Sequence, residues 1–230
     1  MPEAGPDLLQ RLSRLDSNLV SDVMDTGGLR SQVLAPSIRS IGPVRQLVGV
    51  ALCGRGEPTT GLRQKPGSLF DFDAAMFAGA VVVIEDGPLP CGAVLGGFVA
   101  RSWQGLGSTG ILTSGLIRDS SEIAEFGYPM YAAGTTPAAN TGRWSLLEVG
   151  GNARLPERAG GVVTIRSGDL IIGDADGVSI IPQEHAEPNI SAAERLLEIE
   201  AEIRRAMIAG SPRKDAFARN PRFDHIPRFV

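Results

Sequence analysis

An α/β fold with a layered core is what this 230-residue sequence predicts, and three observations lead to it. Short aliphatic runs bounded by glycine recur at 47–53, 80–84 and 110–114. Segments with helical periodicity lie between and around them. The composition, 43% apolar with 29 glycines and only 5% aromatic residues, suits small aliphatic strands joined by tight turns.

Taken in order, residues 7–26 carry helical periodicity and stop at Gly27-Gly28, a C-cap signal. A buried strand at 47–53 leads into a Pro/Gly/Thr loop at 57–68 and a short helix at 69–77. The strand at 80–84, a loop and helix over 86–105, the strand at 110–114 and a helix at 119–126 make two successive β-α units. The pattern then shifts to short strands at 129–133, 144–149, 161–165, 170–173 and 178–181, which predict a β-rich, partly barrel-like layer. A long helix rich in Glu and Arg follows, to about residue 209. The expected organisation is one domain over 1–210 and a C-terminal arm over 211–230. That arm reads either as lying on a neighbouring subunit or as a disordered tail.

Composition excludes several classes. A net charge of −4 and a pI near 5.3 argue against a nucleic-acid surface. No apolar run reaches the roughly 18 residues of a membrane span, and residues 1–19 lack a signal-peptide core. Cys53 and Cys91 are too few for a disulfide scaffold, so a reduced, cytoplasmic protein is expected. With only His185 and His225, one chain cannot assemble a multi-histidine zinc site.

The segment Gly115-Leu-Ile-Arg-Asp119 carries the most chemistry. Arg118 and Asp119 sit where a buried strand feeds a helix, a common address for functional groups in open α/β folds. A guanidinium there can grip a carboxylate at two points, and the adjacent carboxylate can hold a hard divalent cation. The plainer alternative is an ion pair that only caps a helix. Upstream, the glycine- and proline-rich loop from Asp86 to Gly97 opens into the helix at 98–104, whose free amides suit an anion. Two other motifs fail. Gly105-Leu-Gly-Ser-Thr-Gly110 matches a dinucleotide fingerprint but follows a helix and precedes a strand, the reverse of what pyrophosphate binding needs. Asp174-Ala-Asp-Gly177 begins like a calcium loop, yet a strand follows at once, which predicts a hairpin turn.

Taken together, Val20-Ser-Asp-Val-Met-Asp25, the Gly92…Gly96 loop, Gly115-Leu-Ile-Arg-Asp119, Tyr128-Pro-Met-Tyr131, Gly134-Thr-Thr-Pro137 and Ser167-Gly-Asp…Val178 resemble the RraA-like family. That family includes 4-hydroxy-4-methyl-2-oxoglutarate aldolases, which also decarboxylate oxaloacetate, and non-catalytic regulators of ribonuclease E. The resemblance implies a swivelling β/β/α-type domain, a trimer or hexamer, and a Mg²⁺- or Mn²⁺-dependent pyruvate site between subunits. It implies that Asp119 holds the metal and that Arg118 grips the substrate. Backbone around Leu95, Gly96, Gly97 and Phe98 would bind the pyruvate carboxylate. Glu200 of a neighbouring subunit would orient metal-bound water.

Cleavage of such substrates passes through a pyruvate enolate, which needs a Schiff-base lysine or a metal as electron sink. The only lysines are Lys65, in a polar loop, and Lys214, in the basic tail, so the metal route is favoured. The chain departs from the family at Gly97, where the aldolases carry Asp or Glu, at Ser114, where many members have Asp, and at Ala133, where an arginine is common. Restoring a carboxylate by Gly97→Asp is therefore expected to raise the rate. The expected function is a metal-dependent lyase on a small 2-oxo acid, with a protein-binding regulator as the rival. A methyltransferase lacks a glycine-rich loop of the correct topology.

Overall fold

The computed structural model describes residues 5–59, 68–87 and 91–229. Its organising strand is β2 (Leu47–Pro58), 12 residues long and largely buried. Parallel to it run β3 (Ala80–Glu85), then β5 (Gly110–Thr113), then β7 (Met130–Ala132). A two-residue β1 (Arg39–Ser40) closes that side antiparallel to β7. On the other side, the first part of β2 pairs antiparallel with β12 (Leu170–Gly173), which pairs with β13 (Val178–Ile181). From Gly54 onward the last part of β2 pairs antiparallel with β9 (Trp144–Val149), with an irregularity between Arg55 and Gly56 inside the paired stretch. One long strand therefore serves two partners in succession, which makes the mixed sheet eight-stranded.

The two-residue period of the strands divides the core. Leu52, Val82, Ile84 and Ile111 point to one face, where they meet α3 (Phe70–Ala75), α4 (Gly97–Gly105) and α5 (Ser120–Glu125) through Phe72, Trp103 and Ile123. Ala51, Cys53, Val81, Val83 and Leu112 point to the other, against Leu155 and Ile165 of the hairpin β10 (Asn152–Pro156) and β11 (Val162–Arg166). The helices α1 (Pro6–Leu12), α2 (Ser17–Gly27) and α6 (Ala186–Ile208) cover Leu170, Ile172 and Ile181. Each such aliphatic side chain contributes about 1.5–3 kcal/mol when fully buried. Among the described residues no helix is long and apolar enough to cross a membrane.

Three differences from the sequence reading have local causes. The single helix expected at 7–26 is two, α1 and α2, because Asp174 caps the second from a distance. Its carboxylate accepts the Ser17 backbone N–H and hydroxyl, both at 2.7 Å. That aspartate opens the β12–β13 turn, so the hairpin at 174–177 forms as expected, with the Asp174 N–H donating to the Gly177 carbonyl. β2 runs five residues past its expected end, to Pro58, because Gly54 and Gly56 leave room for the Phe72 and Trp144 rings to lie on it. A further helix, α7 (Arg213–Arg219), interrupts the C-terminal arm, which packs on its own chain. Arg222 bridges Asp22 of α2 and Glu200 of α6, and the Phe229 N–H donates to the Gly27 carbonyl at 2.9 Å.

Asp86, just past β3, is fully buried, and both its carboxylate oxygens lack a hydrogen-bond partner among the described residues. Burial raises its pKa from 3.8 to about 7; the nearby Trp144 indole lowers it only in part and makes no hydrogen bond of normal geometry. The folded state thus keeps a proton that the unfolded chain loses near pH 4. Stability from this residue falls as pH rises from about 4 to about 7 and is fully lost above. Asp86→Asn is expected to stabilise the protein by about 2–4 kcal/mol at pH 8 and by almost nothing at pH 4. Thermal melts at the two pH values check this; an equal shift at both would contradict it.

Candidate active site

A second, small sheet builds the site. β4 (Ala93–Leu95), β6 (Leu116–Ile117) and β8 (Gly134–Thr135) run parallel, with Leu95 level with Ile117 and Ile117 level with Thr135. Their carboxyl ends therefore fall on one rim, where open α/β architectures place ligands. β4 delivers Gly96 and Gly97, β6 delivers Arg118 and Asp119, and β8 delivers Thr136 and Pro137. Backbone bonds lock the rim: Arg118 N–H to the Leu95 carbonyl at 3.1 Å, and Thr136 N–H to the Ile117 carbonyl at 3.0 Å. A cavity of about 570 Å³ opens there, lined by Arg118, Asp119, Glu122, Thr135, Thr136 and their neighbours.

Asp119 is the only non-glycine residue with positive φ among the described residues, at φ 56° and ψ 31°. That conformation costs an L-residue of the order of 1 kcal/mol, least for Asp and Asn, and such strain gathers at functional sites. The carboxylate does not cap its own helix. Instead Oδ2 accepts the Gly97 N–H at 3.0 Å, tying the end of β6 to the start of α4. Arg118 Nε lies 3.7 Å from the same oxygen. Oδ1 has no partner among the described residues. Both side chains are about two-fifths exposed, a setting in which an ion pair adds little stability. A capping role therefore does not account for the pair. Gly96 is what allows its packing: a β-carbon there would run into the Asp119 carboxylate and stand 2.9 Å from Arg118 Nε.

Leu95, Gly96, Gly97, Phe98, Arg118 and Asp119 are thus brought together. The Gly97 amide is committed to Asp119, so the free donors of the α4 first turn are the Phe98 and Val99 N–H groups, which have no acceptor within the helix. Glu200 does not line the cavity; within its own chain it is held by Arg222 and Arg204. Lys65 lies outside the described residues, and Lys214, on α7, is solvent-exposed. Sequence reasoning missed Glu122, Thr135 and Thr136. Helical spacing was the available signal for Glu122, since three residues after Asp119 lies on the same side of the helix.

A family model, RraA-like (Aldolase/RraA), matches residues 17–180. The chain belongs to the RraA-like family. A Halalkalibacterium halodurans protein named "Putative 4-hydroxy-4-methyl-2-oxoglutarate aldolase" is 31% identical over 200 residues, which cover 85% of this chain and 86% of that one. Among solved structures, Streptomyces coelicolor RraAS2, described as an unusual member of the RNase ES inhibitor RraA protein family, superposes with a TM-score of 0.75. It is 22% identical, and the match covers 87% of this chain and 97% of that one. A Pseudomonas syringae protein superposes with a TM-score of 0.82 at 23% identity, covering 95% of this chain and 96% of that one. At those identities the structural matches speak for the RraA-like fold: a mixed sheet, the small parallel sheet at its side, and a long C-terminal helix.

Proposed function

We propose that this RraA-like protein is a divalent-metal-dependent lyase that cleaves a small 2-oxo acid to pyruvate through an enolate. The observation that carries this reading is the strained Asp119, held beside Arg118 at the mouth of a cavity with one carboxylate oxygen uncommitted. Relatives named as aldolases at about 30% identity support the reaction class.

The residues fit a hard cation. Asp119 and Glu122 bring carboxylate oxygens to one cavity, and no cluster of three or more His, Cys, Asp or Glu forms among the described residues. Mg²⁺ suits such a set, because it binds through one or two carboxylates and keeps its other positions for water and substrate oxygens. When bound, the cation would supply the electron sink for the developing enolate. Asp119 would hold it. The Arg118 fork would take the substrate carboxylate in two-point fashion, and the Phe98 and Val99 amides would offer a second anion contact at the start of α4.

A screen of 2-oxo acids with Mg²⁺ or Mn²⁺, read by pyruvate release, tests the proposal. Turnover that disappears in chelator and returns with metal is expected. No pyruvate from any substrate, or full turnover in excess chelator, would overturn it.

The site is open in a single chain, and apolar side chains stand exposed nearby and along α6: Phe98 is 91% and Ile208 87% exposed. The reading therefore includes a trimer, or a hexamer built from two trimers, in which a neighbour completes the rim. Light scattering at micromolar concentration is expected to give a trimer or larger. A stable monomer with full activity would contradict the shared site.

A further inference from the structure

Charge is unevenly spread around the cavity. Arg118, at the end of the middle strand β6, is the one basic side chain lining it among the described residues. Guanidiniums on neighbouring elements are committed elsewhere. Arg101 of α4 lies over the Phe126 ring, 4.8 Å from its centre, and Arg143, just ahead of β9, donates to the Ala139 carbonyl at 2.7 Å. Glu122 turns toward α4: a β-carbon on Gly97 would stand 2.5 Å from its Oε2, which leaves no space there for the carboxylate that Gly97→Asp would introduce. The remaining wall is neutral and hydroxylated. Ser120 and Ser121 contribute to it from the start of α5, and Thr135 and Thr136 from the end of β8 and just beyond. The hydroxyls of Ser120, Ser121 and Thr135 make no hydrogen bond among the described residues. Thr136 Oγ1 accepts the Ala138 N–H at 3.3 Å and keeps its own proton to donate.

We infer that the substrate is a 2-oxo acid whose far end is neutral and hydroxylated, of the 4,5-dihydroxy-2-oxo acid class, and not a dicarboxylate. The inference rests on the lyase reading and narrows it. In that reading Arg118 is taken by the carboxylate next to the oxo group. A second substrate carboxylate would then enter the cavity with no guanidinium or ammonium of this chain to meet it. The carboxylates of Asp119 and Glu122 line the same space and would repel it. A substrate hydroxyl both donates and accepts, which matches a wall of serine and threonine hydroxyls. Cleavage of 4,5-dihydroxy-2-oxopentanoate balances without a further reactant. The C3–C4 bond breaks as the C4 hydroxyl gives up its proton, and its oxygen becomes the carbonyl of glycolaldehyde. The C3–C4 electron pair stays with the pyruvate enolate, which takes a proton at C3.

Pyruvate release by the full-length protein with Mg²⁺ or Mn²⁺, compared across three five-carbon substrates, tests this. The far end is CH₂OH in 4,5-dihydroxy-2-oxopentanoate, a carboxylate in 4-hydroxy-2-oxoglutarate and a methyl group in 4-hydroxy-2-oxopentanoate. The first is expected to exceed the second in kcat/KM by about 100-fold and the third by about tenfold. Thr135→Val is expected to narrow the preference for CH₂OH over methyl by about fivefold. Thr135→Lys adds a cation at an exposed position and is expected to bring the dicarboxylate within about tenfold of the dihydroxy substrate. Calorimetric titration reads the same preference without turnover, using 5-hydroxy-2-oxopentanoate and 2-oxoglutarate, which lack the C4 hydroxyl and cannot be cleaved. The former is expected to bind about tenfold tighter. If the dicarboxylates are cleaved and bound as well or better, the inference is overturned and the lyase reading stands. Preferences left unchanged by both Thr135 variants would overturn it too, because the hydroxylated wall would then not set them. No pyruvate from any of the three substrates with either metal overturns the lyase reading, and the inference falls with it.

Discussion

Asp119→Asn is expected to lose divalent-cation binding and to reduce lyase turnover by well over 100-fold, beyond the loss typical of a residue that only supports a metal ligand. Asparagine tolerates the left-handed backbone nearly as well as aspartate. Its amide oxygen can still accept the Gly97 N–H that Oδ2 accepts now at 3.0 Å. The fold should therefore survive, with a melting temperature close to that of the unmodified protein. Asp119→Gly sharpens the comparison, since glycine relieves the strain at φ 56°. It should be inactive yet no less stable through its backbone. A variant that loses activity only by unfolding would assign Asp119 to the scaffold.

Arg118→Lys is expected to cost about 1–3 kcal/mol of transition-state stabilisation, some 5–150-fold in kcat/KM. The side chain reaches along Gly96 with Nε turned toward Asp119, at 3.7 Å, which leaves the outer edge of the guanidinium for a ligand. Lysine preserves the charge near Asp119 and loses the planar pair of donors. Stability should hardly change, because the existing pair is half exposed. A kinetically silent Arg118→Lys would return the residue to a surface ion pair.

The sheet was largely legible in the chain because its strands are short aliphatic runs between glycines, and 80–84, 110–114, 170–173 and 178–181 stand within a residue of where their composition puts them. The small sheet was not. β4, β6 and β8 span two or three residues each, too few for a period-two pattern, and they exist because they pair with one another. The same limit applied at the site. Arg118 and Asp119 were visible as a charged pair at the end of an apolar run. The acceptor role of Asp119 toward Gly97 and the approach of Glu122 to the same glycine depend on how α4 and α5 pack, across separations of more than twenty residues. The break between α1 and α2 was hidden for a like reason, since its cap, Asp174, comes from the far end of the chain.

The most direct test of the account is a crystal structure of the protein with Mn²⁺ and oxalate, a planar mimic of the pyruvate enolate, phased to show the manganese by its anomalous signal. The account predicts one manganese peak per chain at the Asp119 carboxylate, with oxalate between it and the Arg118 guanidinium. Manganese bound elsewhere, or oxalate absent from the Arg118 rim at saturating concentration, would contradict it.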